Sequence, residues 1–331
     1  MMKTRQLGAN GPTISALGLG LMGMSDFYGP ADRQESLATI HAAMEADVTL
    51  FDTADFYGCG HNEMLLADAI EGKREQAFIQ VKFGVLRDSA GGFIGGAYRP
   101  EQIKNALAYT LRRLRTDHVD LYQPARVPHD VPIEDVIGTL VDLQAQGFIR
   151  HIGLSEAGAD TIRKAHAVAP ITALQMEYSL ISRSLEGPIL DTCRELGIGV
   201  TAYGVLSRGL LSGQVKADTF AGKRDFRAMS PRFNGENVVK NLKLVDALTA
   251  LAETHGTTPA QLAISWVLHK GSDIIPLVGA RRPERLQAAV AATDLALTTK
   301  DIAKIETVIP ANAVSGNRYD DHGMAMLDSE S

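Results

Sequence analysis

The stretch Gly18-Leu19-Gly20-Leu21-Met22-Gly23 poses the first choice of fold, because its G-x-G-x-x-G spacing matches the dinucleotide fingerprint of a doubly wound sheet. That fingerprint works only when its last glycine opens a helix whose N-terminal amides meet a pyrophosphate. Here residues 24–30 intervene, with Gly29-Pro30 as a turn signal, so the next helical pattern starts several residues too late. The glycines read instead as small residues packing at a strand end, and the doubly wound reading is set aside.

Outward from this point, short apolar runs alternate with longer segments of helical apolar spacing. Strand candidates are 17–20, 50–51, 78–81, 119–122, 149–154, 173–175, 198–202 and 274–277. Helix candidates are 33–45, 63–71, 100–114, 132–146, 160–168, 186–196, 238–253 and 283–291, several opened by Pro, Asp or Asn. Regular alternation with no Pro/Ser-rich linker closes most naturally into an α/β (β/α)8 barrel with right-handed crossovers, one domain over residues 1–331. Two regions break the rhythm. Residues 4–14 alternate around Asn10-Gly11 and read as an N-terminal β-hairpin able to plug the barrel floor, while the polar stretch 214–237 is a candidate lid. Residues 317–331, with Asp320-Asp321 and few apolar side chains, read as a mobile tail, a segment that in barrel enzymes can also reach the site.

Composition narrows the function classes. Of 331 residues, 45% are hydrophobic and 22% charged, as expected of a globular chain with an extended core. A formal charge of −6 supplies no basic field, so nucleic acid is not an expected partner. The two cysteines, Cys59 and Cys193, are far apart and form neither a disulfide framework nor a zinc-ligand run, which fits a reducing cytoplasm. No targeting or membrane segment is read, because no window approaches the roughly 18 apolar residues a bilayer requires.

Chemistry concentrates at two strand ends. Phe51-Asp52-Thr53-Ala54-Asp55-Phe56-Tyr57-Gly58 follows the second strand and Val81-Lys82-Phe83-Gly84 the third. In a parallel barrel the C-terminal strand ends face the active site, so Asp52 and Lys82 are expected to share the mouth, with Tyr57 reaching in from the loop. A buried Lys needs a counter-ion, and Asp52 is the candidate. A phenol has a pKa of about 10, and a neighbouring ammonium eases its proton release. Such a phenol can protonate the oxygen that becomes anionic when hydride reaches a carbonyl carbon.

These residues resemble the aldo-keto reductase superfamily over nearly the whole chain, from the Leu17–Met24 segment to the Gly279–Leu286 segment. The most specific parts are FDTADFYG, VKFG, Asp120-Leu-Tyr-Gln123, Ile152-Gly-Leu-Ser155 and Ala202-Tyr-Gly-Val-Leu-Ser-Arg-Gly-Leu210. The resemblance implies Tyr57 as acid, Lys82 and Asp52 as its tuning pair, and NADPH as cofactor. It implies Ser155 and Gln175 on the nicotinamide carboxamide and the Tyr203 ring against the nicotinamide. It further implies Gly23, Met24, Gly204, Leu206, Arg208, Gly209, Leu211 and Gly279 along the cofactor, the segment from Leu206 to Leu211 beside the pyrophosphate. Arg281 and Arg285 would receive the 2′-phosphate, for which guanidinium forks are suited, with Arg282 a weaker candidate.

The chain departs from the family pattern at several positions. The usual His that hydrogen-bonds the substrate carbonyl is replaced by Ala125, which has no side-chain donor. Either Tyr57 acts alone, or a group such as Arg126 or His129 moves in, or catalysis is impaired. Glu156 stands where Asn often follows the serine, and would still accept from a carboxamide NH2. Ala288 and Ala289 replace the Glu and Asn that often meet the adenine. Cys59-Gly60-His61 reads as a loop feature, so no metal is expected. Ser207 and Ser212 lack the elbow context of a hydrolase nucleophile, and no phosphate loop ending in Gly-Lys-Ser/Thr is present. The expectation is an NADPH-dependent reductase of aldehydes or ketones; the alternative is an NADPH-binding regulatory or sensor barrel with little turnover.

Overall fold

The computed structural model describes residues 2–220 and 225–330. Its strands, in chain order, are β1 (Thr4–Gln6), β2 (Thr13–Ser15), β3 (Gly18–Gly20), β4 (Leu50–Ala54), β5 (Phe78–Phe83) and β6 (Val85–Arg87). They continue as β7 (Phe93–Gly96), β8 (Val119–Pro124), β9 (Ile149–Ser155), β10 (Ala173–Glu177), β11 (Gly199–Tyr203) and β12 (Ile274–Gly279). Eight of them close a parallel barrel in the order β3, β4, β5, β8, β9, β10, β11, β12, with β12 pairing back on β3. All eight match strand positions expected from the sequence, and the antiparallel β1–β2 hairpin matches the expected N-terminal one.

The hairpin closes the floor. Leu7 and Ile14 are buried against Leu50, Phe78, Leu121 and Ile275, which begin or line the lower halves of their strands. The Ala9 amide donates to the Gly197 carbonyl at 2.7 Å, pinning the hairpin beneath β11. Burying this apolar layer removes it from water at the one barrel end that has no loops for a site.

Helices α1 (Arg33–Glu45), α2 (His61–Ala69), α3 (Pro100–Leu114), α4 (Ile133–Ala145), α5 (Ala159–Val168) and α6 (Pro188–Leu196) follow the pattern read from the sequence. So does α7 (Gly235–Thr254). The next helix, α8 (Pro259–His269), was not anticipated: its seven residues from Leu262 to Leu268 are all buried, so only the narrow stripe of Gln261, Ser265 and His269 marks its period. It is nevertheless well started, by a Thr258/Gln261 capping box with Pro at its first turn. Helices α9 (Pro283–Ala291), α10 (Thr299–Val308) and α11 (Asp321–Ala325) complete the chain.

The Gly18–Gly23 motif behaves as packing. A Cβ on Gly18 would come within 2.6 Å of Leu50 and Leu277 on the flanking strands, and the chain continues into a short 3-10 turn, Met22–Met24, with α1 starting only at Arg33. At the mouth, β6 and β7 form a small antiparallel hairpin. Part of the lid candidate, residues 221–224, lies outside the described residues. Among the described residues no helix is long and apolar enough to cross a membrane.

Candidate active site

Parallel pairing of β4 with β5 sets Asp52 opposite Gln80 and Ala54 opposite Lys82. Side chains two apart on a strand share a face, so Asp52 and Lys82 converge. The Lys82 ammonium donates to both Asp52 oxygens at 2.7 and 2.8 Å and to the Thr53 carbonyl at 3.1 Å. Asp52 Oδ1 also accepts from Gln175 at 2.6 Å and Gln80 at 3.2 Å. Burial pushes the Lys82 pKa down and Asp52 pulls it back, leaving it below the ordinary lysine value. Both ions are buried, and each satisfies the other.

Tyr57 opens a tight turn, Tyr57–Gly60, in which Gly58, Cys59 and Gly60 all have positive φ. This left-handed run reverses the chain just past β4 and turns the phenol back over the mouth. The Gly58 amide donates to Asp26 at 3.2 Å, and Asp26 is ion-paired with Arg87 of β6 at 2.7 Å, which ties the turn to the mouth hairpin. The Tyr57 ring is buried, packed edge-on against Phe27 and Phe56, with Lys82 Nζ 5.2 Å from its centroid. Burial, then the charge of Asp52, raises the Tyr57 pKa well above its ordinary value, and Arg126 acts in the opposite direction.

Ala125 is buried and its amide donates to the Phe83 carbonyl at 2.8 Å, so no side-chain donor stands at the position where one is usual in the family. Arg126 turns toward the mouth: Nη1 donates to the Ala125 carbonyl at 2.6 Å and the guanidinium lies 5.9 Å from the Tyr319 ring centroid. Its charge acts on Tyr57, Lys82 and Tyr98. His129, the other candidate substitute, is exposed. Gly84 explains the last letter of VKFG. It has φ +100, and the Tyr98 ring lies against it where any Cβ would stand.

Around the other half of the mouth, Ser155 Oγ is buried and has no protein partner among the described residues. Next to it, Glu156 adopts φ 54 and turns its carboxylate inward. Its Oε1 accepts from the Tyr203 hydroxyl at 2.8 Å, the Glu177 amide at 2.9 Å and Arg318 Nη1 at 2.9 Å. Its Oε2 accepts from Arg318 Nη2 at 2.6 Å and Ser329 Oγ at 2.7 Å. The carboxylate expected to be available to a carboxamide is therefore already engaged. Burial pushes the Glu156 pKa up, but Arg318 outweighs it and holds the carboxyl at about 2.

Glu177 extends the same cluster. It pairs with Arg208 at 3.2 Å, Arg232 at 3.4 Å and Arg318 at 3.5 Å, all four side chains being buried. Gly204 permits this: its φ is +66, and a Cβ would fall 2.9 Å from Glu177 Cγ. The C-terminal segment, expected as a mobile tail, has buried anchors here. Arg318 is buried, Tyr319 meets the Tyr203 hydroxyl at 3.2 Å, and Asp328 accepts from the Gly158 amide at 2.7 Å.

A model of the aldo/keto reductase family matches residues 16–310. The chain belongs to that family. It is 39% identical over 320 residues to the probable aldo-keto reductase 1 of Glycine max, covering 95% of this chain and 91% of that one. The structure of a glycerol dehydrogenase from Gluconobacter oxydans superposes with TM-score 0.85 at 29% identity, covering 95% of this chain and 98% of that one. The holo form of an aldo-keto reductase from Bacillus halodurans gives TM-score 0.79 at 26% identity, covering 97% and 99%. The protein is an oxidoreductase, of a family that generally uses nicotinamide cofactors on small carbonyl compounds.

In this aldo/keto reductase the adenosine-end candidates lie at the rim. Arg281 donates to the Tyr28 and Pro30 carbonyls at 3.3 Å each, and Arg285 to the Gln214 side chain. Arg282 is ion-paired with Glu35 of α1 at 3.2 Å, the bland outcome for a surface arginine. Gly279 is exposed, with the Gly20 carbonyl 3.9 Å from where a Cβ would stand, and Gly23 lies close to Tyr28 and Arg281. Met24 and Leu211 have their side chains in the core, and Leu206 is partly buried against it. Arg208 is committed to Glu177 and to the Arg318 carbonyl, and Gly209 beside it has φ 94. The Ala288 carbonyl accepts from Gln261 at 3.2 Å, and Ala289 is buried. Ser207 is buried, and Ser212 donates to the Gly209 carbonyl at 2.6 Å. Among the described residues no three His, Cys, Asp or Glu are grouped to hold a metal, and His61 bonds Ser25.

Sequence reasoning missed Glu177, Arg232, Arg318 and Tyr319. Glu177 carried one usable signal, since it stands two residues after Gln175 and shares its face of β10. The two arginines carried none, lying in segments without periodicity.

Proposed function

We propose that this aldo/keto reductase uses NADPH to reduce an aldehyde or ketone to an alcohol, with Tyr57 as proton donor and Lys82 and Asp52 as the pair that supports it. The observation that carries this reading is a buried phenol set over a buried Lys82–Asp52 ion pair at the C-terminal end of the barrel. Burial and Asp52 hold Tyr57 as the neutral phenol, against the easier proton release expected beside Lys82, and Arg126 is the cation that acts on the ring in the releasing direction. Lys82 holds positive charge near the ring, and Asp52 keeps Lys82 in place through both of its oxygens.

When bound, the nicotinamide supplies hydride to the carbonyl carbon. The residues fit such a group in part: Ser155 presents an unpartnered buried hydroxyl, and the ring of Tyr203 is fixed at its hydroxyl end. Gln175 would complete the carboxamide contact through the amide oxygen that Asp52 does not use. Glu156 does not join them. At the rim, Arg281 and Arg285 are held by neutral acceptors and would take a 2′-phosphate, which favours NADPH over NADH.

For the group opposite Tyr57 we infer Arg126. Its guanidinium acts on Tyr57, Lys82 and Tyr98, and so bears on the place where a substrate oxygen would become anionic. The competing reading, a cofactor-binding sensor with slow turnover, draws on Ala125. A steady-state panel of aldehydes and ketones with NADPH and NADH separates the two. Multiple turnover that prefers NADPH is expected; tight NADPH binding with negligible turnover of every carbonyl would favour the sensor.

A further inference from the structure

We propose that Arg318, carried by the C-terminal segment, is a positioning residue for the nicotinamide half of the site: it holds Glu156 against the Tyr203 hydroxyl and thereby keeps the Tyr203 ring in place beside the nicotinamide. The inference rests on the NADPH reading above.

A wholly buried carboxylate such as Glu156 beside Ser155 is costly unless paired, and Arg318 pairs with it through both guanidinium nitrogens at 2.9 and 2.6 Å. The same Oε1 that meets Arg318 also receives the Tyr203 hydroxyl. Tyr203 ends β11, so its backbone is fixed by the barrel and its far end by Glu156. A ring held at both ends cannot swing away about χ1, so it stays where a stacking surface for hydride transfer requires it.

Arg318 is itself positioned. Its carbonyl accepts from Arg208 at 2.7 Å and Ser230 at 3.3 Å, and its Nη2 meets Glu330 at 2.8 Å. Ser329, eleven residues on, donates to the same Glu156 carboxylate, so the segment returns to its own anchor. The cations Arg208, Arg232 and Arg318 face the anions Glu156, Glu177 and Glu330, drawn from β10, the loops after β9 and β11, and the tail, and Arg126 also acts on Glu156. Removing Arg318 leaves Glu156 unpaired and frees it to leave Tyr203.

The test compares two probes that differ only in the part at issue: NADPH, and 2′-phospho-ADP-ribose, which keeps the adenosine and pyrophosphate but has no nicotinamide. In Arg318→Met the dissociation constant for NADPH should rise roughly tenfold or more, with that for 2′-phospho-ADP-ribose changed less than about twofold. Adding Glu156→Gln should recover much of the loss, because no buried charge is then left unpaired. Arg318→Lys, which keeps the charge and loses the fork, should give a smaller loss that is again confined to NADPH. It also serves as the test if the methionine variant does not fold. Equal losses for both probes, or an unchanged NADPH affinity, would overturn the positioning role while leaving the NADPH reading intact. A native protein that binds 2′-phospho-ADP-ribose but gains nothing from the nicotinamide, or binds neither, would overturn both.

Discussion

A phenol that is buried next to a carboxylate is a poor ion and a good proton store, and Tyr57 is in that position. Burial and Asp52 oppose its ionisation, and Arg126 counters them. Arg126→Met is therefore expected to do two things. It should lower kcat by about 10- to 100-fold, the scale for losing one charge-stabilising group. It should also move the alkaline limb of the reduction profile to higher pH, because a phenol without its cation ionises later. A pH–rate profile for the native protein and the variant checks both; an unchanged limb would remove Arg126 from the surroundings of Tyr57. Asp52, Tyr57 and Lys82 were legible in the sequence because polar residues in an apolar strand-end context need a reason. Arg318 was not, since an arginine in a polar tail looks the same whether it is solvated or buried.

At the level of elements, the strands were found but drawn short. Expected strands ended at Phe51, Val81, Tyr122 and Gln175, whereas the structure carries them to Ala54, Phe83, Pro124 and Glu177. The added residues include Asp52, Lys82, Gln123 and Glu177, whose polarity argues for loop in any ordinary strand. In a barrel those positions line the mouth, so polarity there marks function rather than an end of pairing. Helix α8 failed for the opposite reason, being buried almost all round, with only the narrow stripe of Gln261, Ser265 and His269 to mark its period. The loop and helix start that carry Arg281 and Arg285 bear a separate prediction. Replacing both with Ala should weaken NADPH by roughly 10- to 100-fold and NADH by much less, since only the former has a phosphate for two guanidinium groups. Titrations with both cofactors decide it, and equal losses would remove these arginines from the 2′-phosphate.

As a whole the molecule is asymmetric along its barrel axis. The floor is sealed by an apolar hairpin, and the mouth is organised by buried ions and hydrogen bonds between strand ends, the 225–233 segment and the tail. Apolar packing needs no precise partner, whereas each buried ion must be matched, so the mouth has the more tightly specified geometry. That division puts stability at one end and chemistry at the other. The barrel was legible because eight repeats of one pattern reinforce each other. The ionic mouth was not, because its partners are more than a hundred residues apart in several cases, as Glu156 and Arg318 are.

In the proposed reaction the Tyr57 phenol gives the proton to the carbonyl oxygen. Single-turnover rates of Tyr57→Phe and native protein, each pre-loaded with NADPH and mixed with a reactive aldehyde, test it directly. A fall of roughly 10²-fold or more with NADPH affinity nearly unchanged is the predicted result; a rate equal to that of the native protein would contradict it.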